Sequence, residues 1–416
     1  MDETYERVLR EIKKPNRDHA RRLLQCLAVA IRPLQVEELA EVLAVDFDDG
    51  SGIPTLKPGW RWEDQEQALL TSCSSLITIV RTGDSRVVQF SHFSVKEFLT
   101  STRLSTSSQD VSHYHVVLGP AHTILAQACL SILLRQDDFV EDGGVEKGSP
   151  LAGYAAEHWV RHAQFEDVAS RIIGMEYIFD LDKPYFAAWR QLYDIDIDRS
   201  DSVFLQFTSF SKSGEGTPLY YAALCGFKDL VEQLIVKHPE HINATHGYYR
   251  TPAVAALTGR HFELAQVLHR NGSSVDPQGR SGFSTLHSAT RYWDLEMVRV
   301  LLDYGVDVNA KNDWGSTPLD YALEYNSENV DPSVVRLLLD HAADPNLRAE
   351  DGLTPLYRAS QHGKVEIVRL LVERASIEVQ DSEGRTPLDV ASGEHRDEII
   401  KLLLEHRAKI RVRCTM

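Results

Sequence analysis

Cysteine is scarce in this chain. Five cysteines occur in 416 residues (Cys26, Cys73, Cys129, Cys225 and Cys414), an odd number and never spaced as C-x-x-C. That excludes a disulfide framework and a zinc ribbon and fits a reducing compartment. No run of 18 apolar residues is present, so no membrane span is expected. The charged start, Met1-Asp2-Glu3-Thr4-Tyr5-Glu6-Arg7, has the character of neither a signal nor a transit peptide, and a cytoplasmic chain is expected. The sequons at Asn243 and Asn271 are then chance matches. Net positive charge is lacking too: 44 Lys and Arg against 61 Asp and Glu leave a formal charge of -17, which nucleic-acid phosphate repels unless a basic patch intervenes. No phosphate loop G-x-x-x-x-G-K-[ST] occurs, and the nearest strings, Glu146-Lys147-Gly148-Ser149 and Ser211-Lys212-Ser213-Gly214, lack the strand-to-helix setting that cradles phosphate. H-E-x-x-H and G-x-S-x-G are absent as well, so no activated nucleophile or catalytic metal is expected, nor any cofactor.

What the chain does have is a rhythm. Leu219, Ala253, Leu286, Leu319, Leu356 and Leu388 anchor six similar phrases spaced 34, 33, 33, 37 and 32 residues apart. A unit of that length cannot bury its own apolar face and stacks on its neighbours, which yields an extended surface suited to a macromolecular partner. Each phrase reads as a threonine cap, a proline in the first helical turn, a short helix rich in small residues, a second helix with paired leucines, and a polar hairpin. Gly315, Gly352 and Gly384 are placed where the hairpin needs positive φ.

Ahead of the repeats, Thr4 to Lys13, Arg17 to Ile31 and Val36 to Val45 carry helical stripes, with Leu23, Leu24, Leu27 and Ile31 expected inward on the second. Leu76 to Val80 and Val87 to Phe90 read as strands joined by a turn at Arg81 to Ser85, and Ser94 to Leu99 as a short helix. Three helices and a two-stranded ribbon make a winged-helix arrangement. Residues 106–205 read as a helical connector, with helices at Pro120 to Leu134, Leu151 to Ala163, Phe165 to Ile172 and Pro184 to Leu192 and a loop at Asp137 to Ser149. The expected architecture is mainly α: a winged-helix domain over 1–105, the connector over 106–205, and a six-repeat solenoid over 206–416.

The repeats resemble ankyrin repeats, on the strength of Gly315-Ser316-Thr317-Pro318-Leu319 and Gly305-Val306-Asp307-Val308-Asn309-Ala310. Departures are Ser284-Thr285 in place of Thr-Pro, Trp293, Asn326 and His395 in place of a turn glycine, and four extra residues near Asn326 to Pro332. The first half resembles the part that follows the nucleotide-binding domain in fungal NACHT–ankyrin signalling ATPases. The residues that carry this are Thr4 to Leu9, Pro33-Leu34, Glu37-Glu38-Leu39, Phe90 to Leu99, Tyr154-Ala155-Ala156, Trp159, His162-Ala163 and Asp182 to Trp189. The resemblance implies a sensor and regulatory protein whose nucleotide-binding domain would lie upstream of Met1, so that the chain is either a truncated version or one that works without an ATPase, and whose N-terminal half would dock against a nucleotide-binding domain or another regulator.

A DNA-binding winged-helix regulator is the alternative. Val36 to Val45, as recognition helix, would bring Glu37, Glu38 and Glu41 against phosphate, which disfavours it. Asp194, Asp196 and Asp198 imitate the start of a calcium loop, yet Arg199 and Leu205 stand where glycine and glutamate belong. His158 with His162, and His113 with His115, lack the companions of a metal site. Recognition of a protein partner is the favoured reading. Projected onto hairpin tips and first helices, Tyr248, Arg250, Arg280, Phe283, Arg291, Tyr292, Trp314 and Tyr325 form one aromatic and arginine cluster across repeats two to four, the residue types enriched in binding hot spots.

Overall fold

A computed structural model describes residues 2–47, 53–73, 75–135, 149–195, 216–291, 294–324, 331–394 and 396–414. These form two compact units, one within 1–195 together with 227–233, the other within 196–226 and 234–416. Trp293, Asn326, His395, the aspartates 196 and 198, and almost all of the 137–149 loop lie outside the described residues.

The first unit opens with helices α1 (Asp2–Glu11) and α2 (Arg17–Val29). Ala20, Leu23, Leu24 and Cys26 are buried on α2, whereas Ile31 lies past the helix end and is 38% exposed. Pro33 explains the stop, because it disfavours helical geometry in the residue before it. Strand β1 (Leu34–Gln35) leads into α3 (Val36–Leu43), and a small ribbon of β2 (Val45–Asp46) and β3 (Thr55–Leu56) follows. Helix α4 (Gln65–Cys73) then precedes the hairpin of β4 (Ile77–Thr82) and β5 (Ser85–Phe90), whose register pairs Ile77 with Phe90 and Thr82 with Ser85. Gly83, at φ 62°, opens the two-residue turn, as tight hairpins require. The sheet order β1-β5-β4 completes a winged helix.

This topology corrects the assignment of a recognition helix. The helix just before the wing is α4, not α3, so α4 holds the position that enters the major groove in helix-turn-helix proteins. Every residue of α3 except Glu37 is buried. Glu38 and Glu41 are among them and have internal partners: Arg32 bonds both oxygens of Glu38, at 2.8 and 2.6 Å, and Glu41 accepts from Leu151 N at 2.9 Å besides bonding Arg61 and Ser149. Residues 62–80, which include α4, contain no lysine or arginine. Neither helix offers phosphate a cation.

Helices α5 (Phe93–Thr100), α6 (Thr102–Ser105), α7 (Gln109–Ser112), α8 (Leu118–Leu133) and α9 (Ala152–Ala163) continue the unit, followed by α10 (Met175–Ile178) and α11 (Tyr185–Leu192). Helix α8 packs on both α2 and α9. The helix expected over Phe165 to Ile172 shrinks to one 3-10 turn, Ala169–Arg171, because Glu166 adopts a left-handed φ of 44°. Trp159, Phe179, Trp189 and Phe227 form a buried aromatic cluster.

The second unit contains ankyrin repeats. Their first helices are Pro218–Cys225, Pro252–Thr258, Thr285–Arg291, Pro318–Glu324, Pro355–Gln361 and Pro387–Gly393. Thr217, Thr251, Thr317, Thr354 and Thr386 each accept a backbone N–H from the third helical residue, the expected cap. Repeat three solves the same problem differently. Ser284 Oγ takes the cap from His287 N at 3.3 Å. Thr285 has the N–H that proline would lack, and half-buried Asp276 accepts it at 2.6 Å, with Leu286 N at 3.4 Å. The paired leucines of the second helices, such as Leu301, Leu302, Leu338 and Leu339, supply core.

Candidate protein-binding surface on the repeat fingers

The hairpin fingers form first from local chemistry. In finger four, Asn312 Oδ1 accepts from Trp314 N at 3.0 Å and Ser316 N at 2.9 Å, and Gly315 turns the chain at φ 68°. Gly352 and Gly384 repeat that turn at φ 76°. Fingers then bond sideways through the backbone: Asp313 N donates to Ser281 O and Glu350 N to Trp314 O, each at 2.9 Å. The finger that carries Trp314 is thus tied by main chain to the fingers on both sides, at Asp313 and at Trp314 O.

Its side chain stands on a built platform. Phe283 lies 5.2 Å from the Trp314 ring, 4.7 Å from Tyr321 and 5.7 Å from His287, centroid to centroid. His287 Nδ1 accepts from Ser284 N at 3.3 Å, which leaves Nε2–H to donate to Ser316 O at 3.0 Å across the repeat boundary. Burial lowers the pKa of His287 to about 4, so the ring is neutral at pH 7. Arg291 bonds the Tyr321 hydroxyl and lays its guanidinium 5.1 Å from that ring. Trp314 itself is 50% exposed. A large ring half in water, packed on a buried aromatic that itself rests on Tyr321 and Arg291, is the pattern of an interface anchor.

The expected residues divide accordingly. Trp314 is exposed and Arg291, Tyr248 and Arg250 are half-buried. Phe283 is a correction: at 5% exposure it is platform and not contact, because Trp314 and Tyr321 cover it. Arg280 lies on the turn Arg280–Gly282, and its side chain is outside the described set, as are Tyr292 and Tyr325. Finger two departs from the others. Tyr249 replaces the tip glycine and is fully buried, its N–H donating to Tyr220 Oη at 3.0 Å, while the left-handed φ moves to Gly247 and Arg250 at 85° and 68°. The signal for this was legible in Gly247-Tyr248-Tyr249-Arg250, where the glycine arrives two residues early.

Two further places bear on chemistry. A cavity of about 480 Å³ in the first unit is lined by Ile53, Leu56, Leu134, Tyr177 and Tyr185 with Arg135 and Lys183, and among the described residues no carboxylate, histidine or thiol lines it. Within α8 and α9, His122 Nδ1 lies 2.8 Å from His162 Nδ1, and Tyr154 Oη lies 2.8 Å from His162 Nε2. His158 packs edge-on to Tyr154. His122 and His162 bond one another, and His158 packs within the helical segment. Among the described residues, no helix is long and apolar enough to cross a membrane.

Comparison with known proteins agrees with this architecture. Residues 5–109 match the family described as GPI inositol-deacylase, winged helix domain, and residues 253–349 and 327–414 match ankyrin repeats (3 copies). The chain is 31% identical over 299 residues to the azaphilone pigments biosynthesis cluster protein L of Monascus ruber, covering 66% of this chain and 60% of that protein. It is 34% identical over 114 residues to the ankyrin repeat and SAM domain-containing protein 6 of Mus musculus, covering 27% of this chain and 13% of that one. Over 126 residues it is 31% identical to the B-cell lymphoma 3 protein homolog of Mus musculus, covering 30% and 27%. The chain therefore spans less than two thirds of the length of each. It has an N-terminal winged-helix domain and ankyrin repeats, and the ankyrin repeats support a role in protein–protein interaction.

Proposed function

We propose that the chain is the recognition and regulatory part of a NACHT-type signalling protein, working in the cytoplasm by binding and not by turnover. The repeats over 206–416 hold a protein partner. The winged helix over 1–105 and the connector over 106–205 serve as a docking body for a nucleotide-binding domain. The observation that carries the binding half is Trp314, on a finger tied by backbone bonds to both neighbours and half exposed against Phe283, which in turn packs on Tyr321 and, through it, Arg291. Tyr248, Arg250 and Arg280 on fingers two and three, with Tyr292 and Tyr325, extend the contact surface. The support for the docking half is the winged-helix match over 5–109 together with the burial of α3, which leaves that module suited to packing and not to reading DNA.

Two experiments test this. Partner capture by the full chain is compared with capture by Trp314→Ala and Arg291→Ala. A loss of tenfold or more with Trp314→Ala is expected, since anchor residues cost about 2 kcal/mol or more on truncation. Equal capture by both variants refutes the surface. The genomic sequence upstream of Met1 tests the second half: an in-frame phosphate loop supports a nucleotide-binding domain joined to this chain.

A further inference from the structure

We propose that His238, Glu240 and His241 form a binding site for a divalent transition-metal ion, Zn²⁺ foremost, at the end of the first repeat. His238 Nδ1 lies 3.2 Å from Glu240 Oε1, and His241 Nε2 lies 3.9 Å from the same oxygen. All three ligand atoms fall within 4.8 Å of one another. Zinc bonds of 2.0–2.2 Å to nitrogen and oxygen put tetrahedral ligand atoms about 3.3 Å apart, so small side-chain rotations complete the geometry. Two imidazoles and one carboxylate are a zinc donor set that leaves a position for water.

The trio is organised before any ion arrives. The 3-10 helix Pro239–Asn243 carries Glu240 and His241, and His241 N closes onto His238 O at 3.1 Å. Pro239 fixes φ at the first position of that turn. The two imidazoles stack, with centroids 5.3 Å apart and planes 20° from parallel. Each keeps only 20% of its side chain in water, while Glu240 keeps 63%. The rings are therefore held by the fold and the carboxylate side is open for entry.

An ion here would also brace the stack. Asn243, on the same 3-10 helix, donates to Gly272 O at 2.7 Å and accepts from Ser274 N at 2.8 Å. Pinning that helix pins the junction of repeats one and two.

The test uses the untagged full chain titrated with Co²⁺, read by visible d–d absorption, with Zn²⁺ as competitor. The expected result is one tightly bound Co²⁺ per chain, displaced by Zn²⁺. In the double variant His238→Ala/His241→Ala, affinity falls by more than the 10–100-fold that loss of an outer-shell partner costs. Glu240→Gln weakens it as well, and this exposed substitution leaves folding intact. His246→Ala, outside the trio, binds as the parent does. No band with the parent chain, or an undiminished one in Glu240→Gln and the double variant, overturns the assignment.

Discussion

Asp276 offers the sharpest check on how the sequence builds the stack. It accepts the N–H of Thr285 at 2.6 Å and of Leu286 at 3.4 Å, inside a repeat that lacks the opening proline. Thr285 and Leu286 are fully buried, so water cannot replace that acceptor. Asp276→Ala therefore leaves a buried donor unpaired, at about 1–3 kcal/mol, close to the 0.5–2 kcal/mol of a lost helix cap. Near 2 kcal/mol, amide exchange in 285–291 by local opening should quicken about thirtyfold at pH 4, where Asp276 makes its full contribution, as read by hydrogen-exchange mass spectrometry on the full chain. Adding Thr285→Pro removes the orphaned N–H and restores the Thr-Pro style of opener, so the double variant should regain most of the protection. Asp276→Asn keeps the acceptor oxygen and should be neutral or stabilising. Burial raises the Asp276 pKa to about 6, above its ordinary 3.8, so the stability it contributes is present below about pH 4 and lost as pH rises through 6. The advantage of Asn over Asp should accordingly grow between pH 4 and 7. Unchanged exchange in Asp276→Ala, or no rescue by Thr285→Pro, refutes the reasoning.

Three other outcomes follow from the packing. Glu41→Ala should lower the calorimetric melting transition by about 3–5 kcal/mol in stability, because Arg61, Ser149 and Leu151 N lose a buried acceptor, and Glu41→Gln should cost less. Burial lowers the pKa of His122 to about 4 and that of His162 to about 3, so their stability contribution is present above pH 6.5 and lost as pH falls toward 4; His162→Gln should flatten that acid limb in melting curves. Tyr220→Phe should cost about 1–3 kcal/mol in urea denaturation, since Tyr249 N is buried and loses its acceptor.

Much of the second unit was readable because it is local. A threonine three residues before the N–H it caps, a proline in the first turn and a glycine at the finger tip are short-range signals, and the structure repeats them in register. Asp276 was not readable, since its partner is nine residues away and reached only once the finger folds back. Phe283 read as contact because finger position alone does not reveal a neighbouring tryptophan covering it. In the first unit the wing was legible, but the ribbon at Val45–Asp46 and Thr55–Leu56 separates α3 from α4 and hid which helix precedes the wing. Helix α4 buries only Leu69, Ser72 and Cys73, too few apolar positions to signal a stripe. Glu38 and Glu41 read as carboxylates facing phosphate on a recognition helix for a related reason: their arginine partners, Arg32 and Arg61, are set by tertiary structure.

The central claim is that a protein partner seats on the fingers around Trp314. Site-specific photo-crosslinking reads this directly, with the crosslinker placed in turn at Tyr248, Asp313, Glu350 and, as a remote control, Val236, which is 84% exposed. The expected result is a discrete adduct of one mass from the finger positions, none from Val236, and loss of the adduct when Trp314→Ala is added. Adducts that survive Trp314→Ala undiminished, or that form equally at Val236, would contradict it.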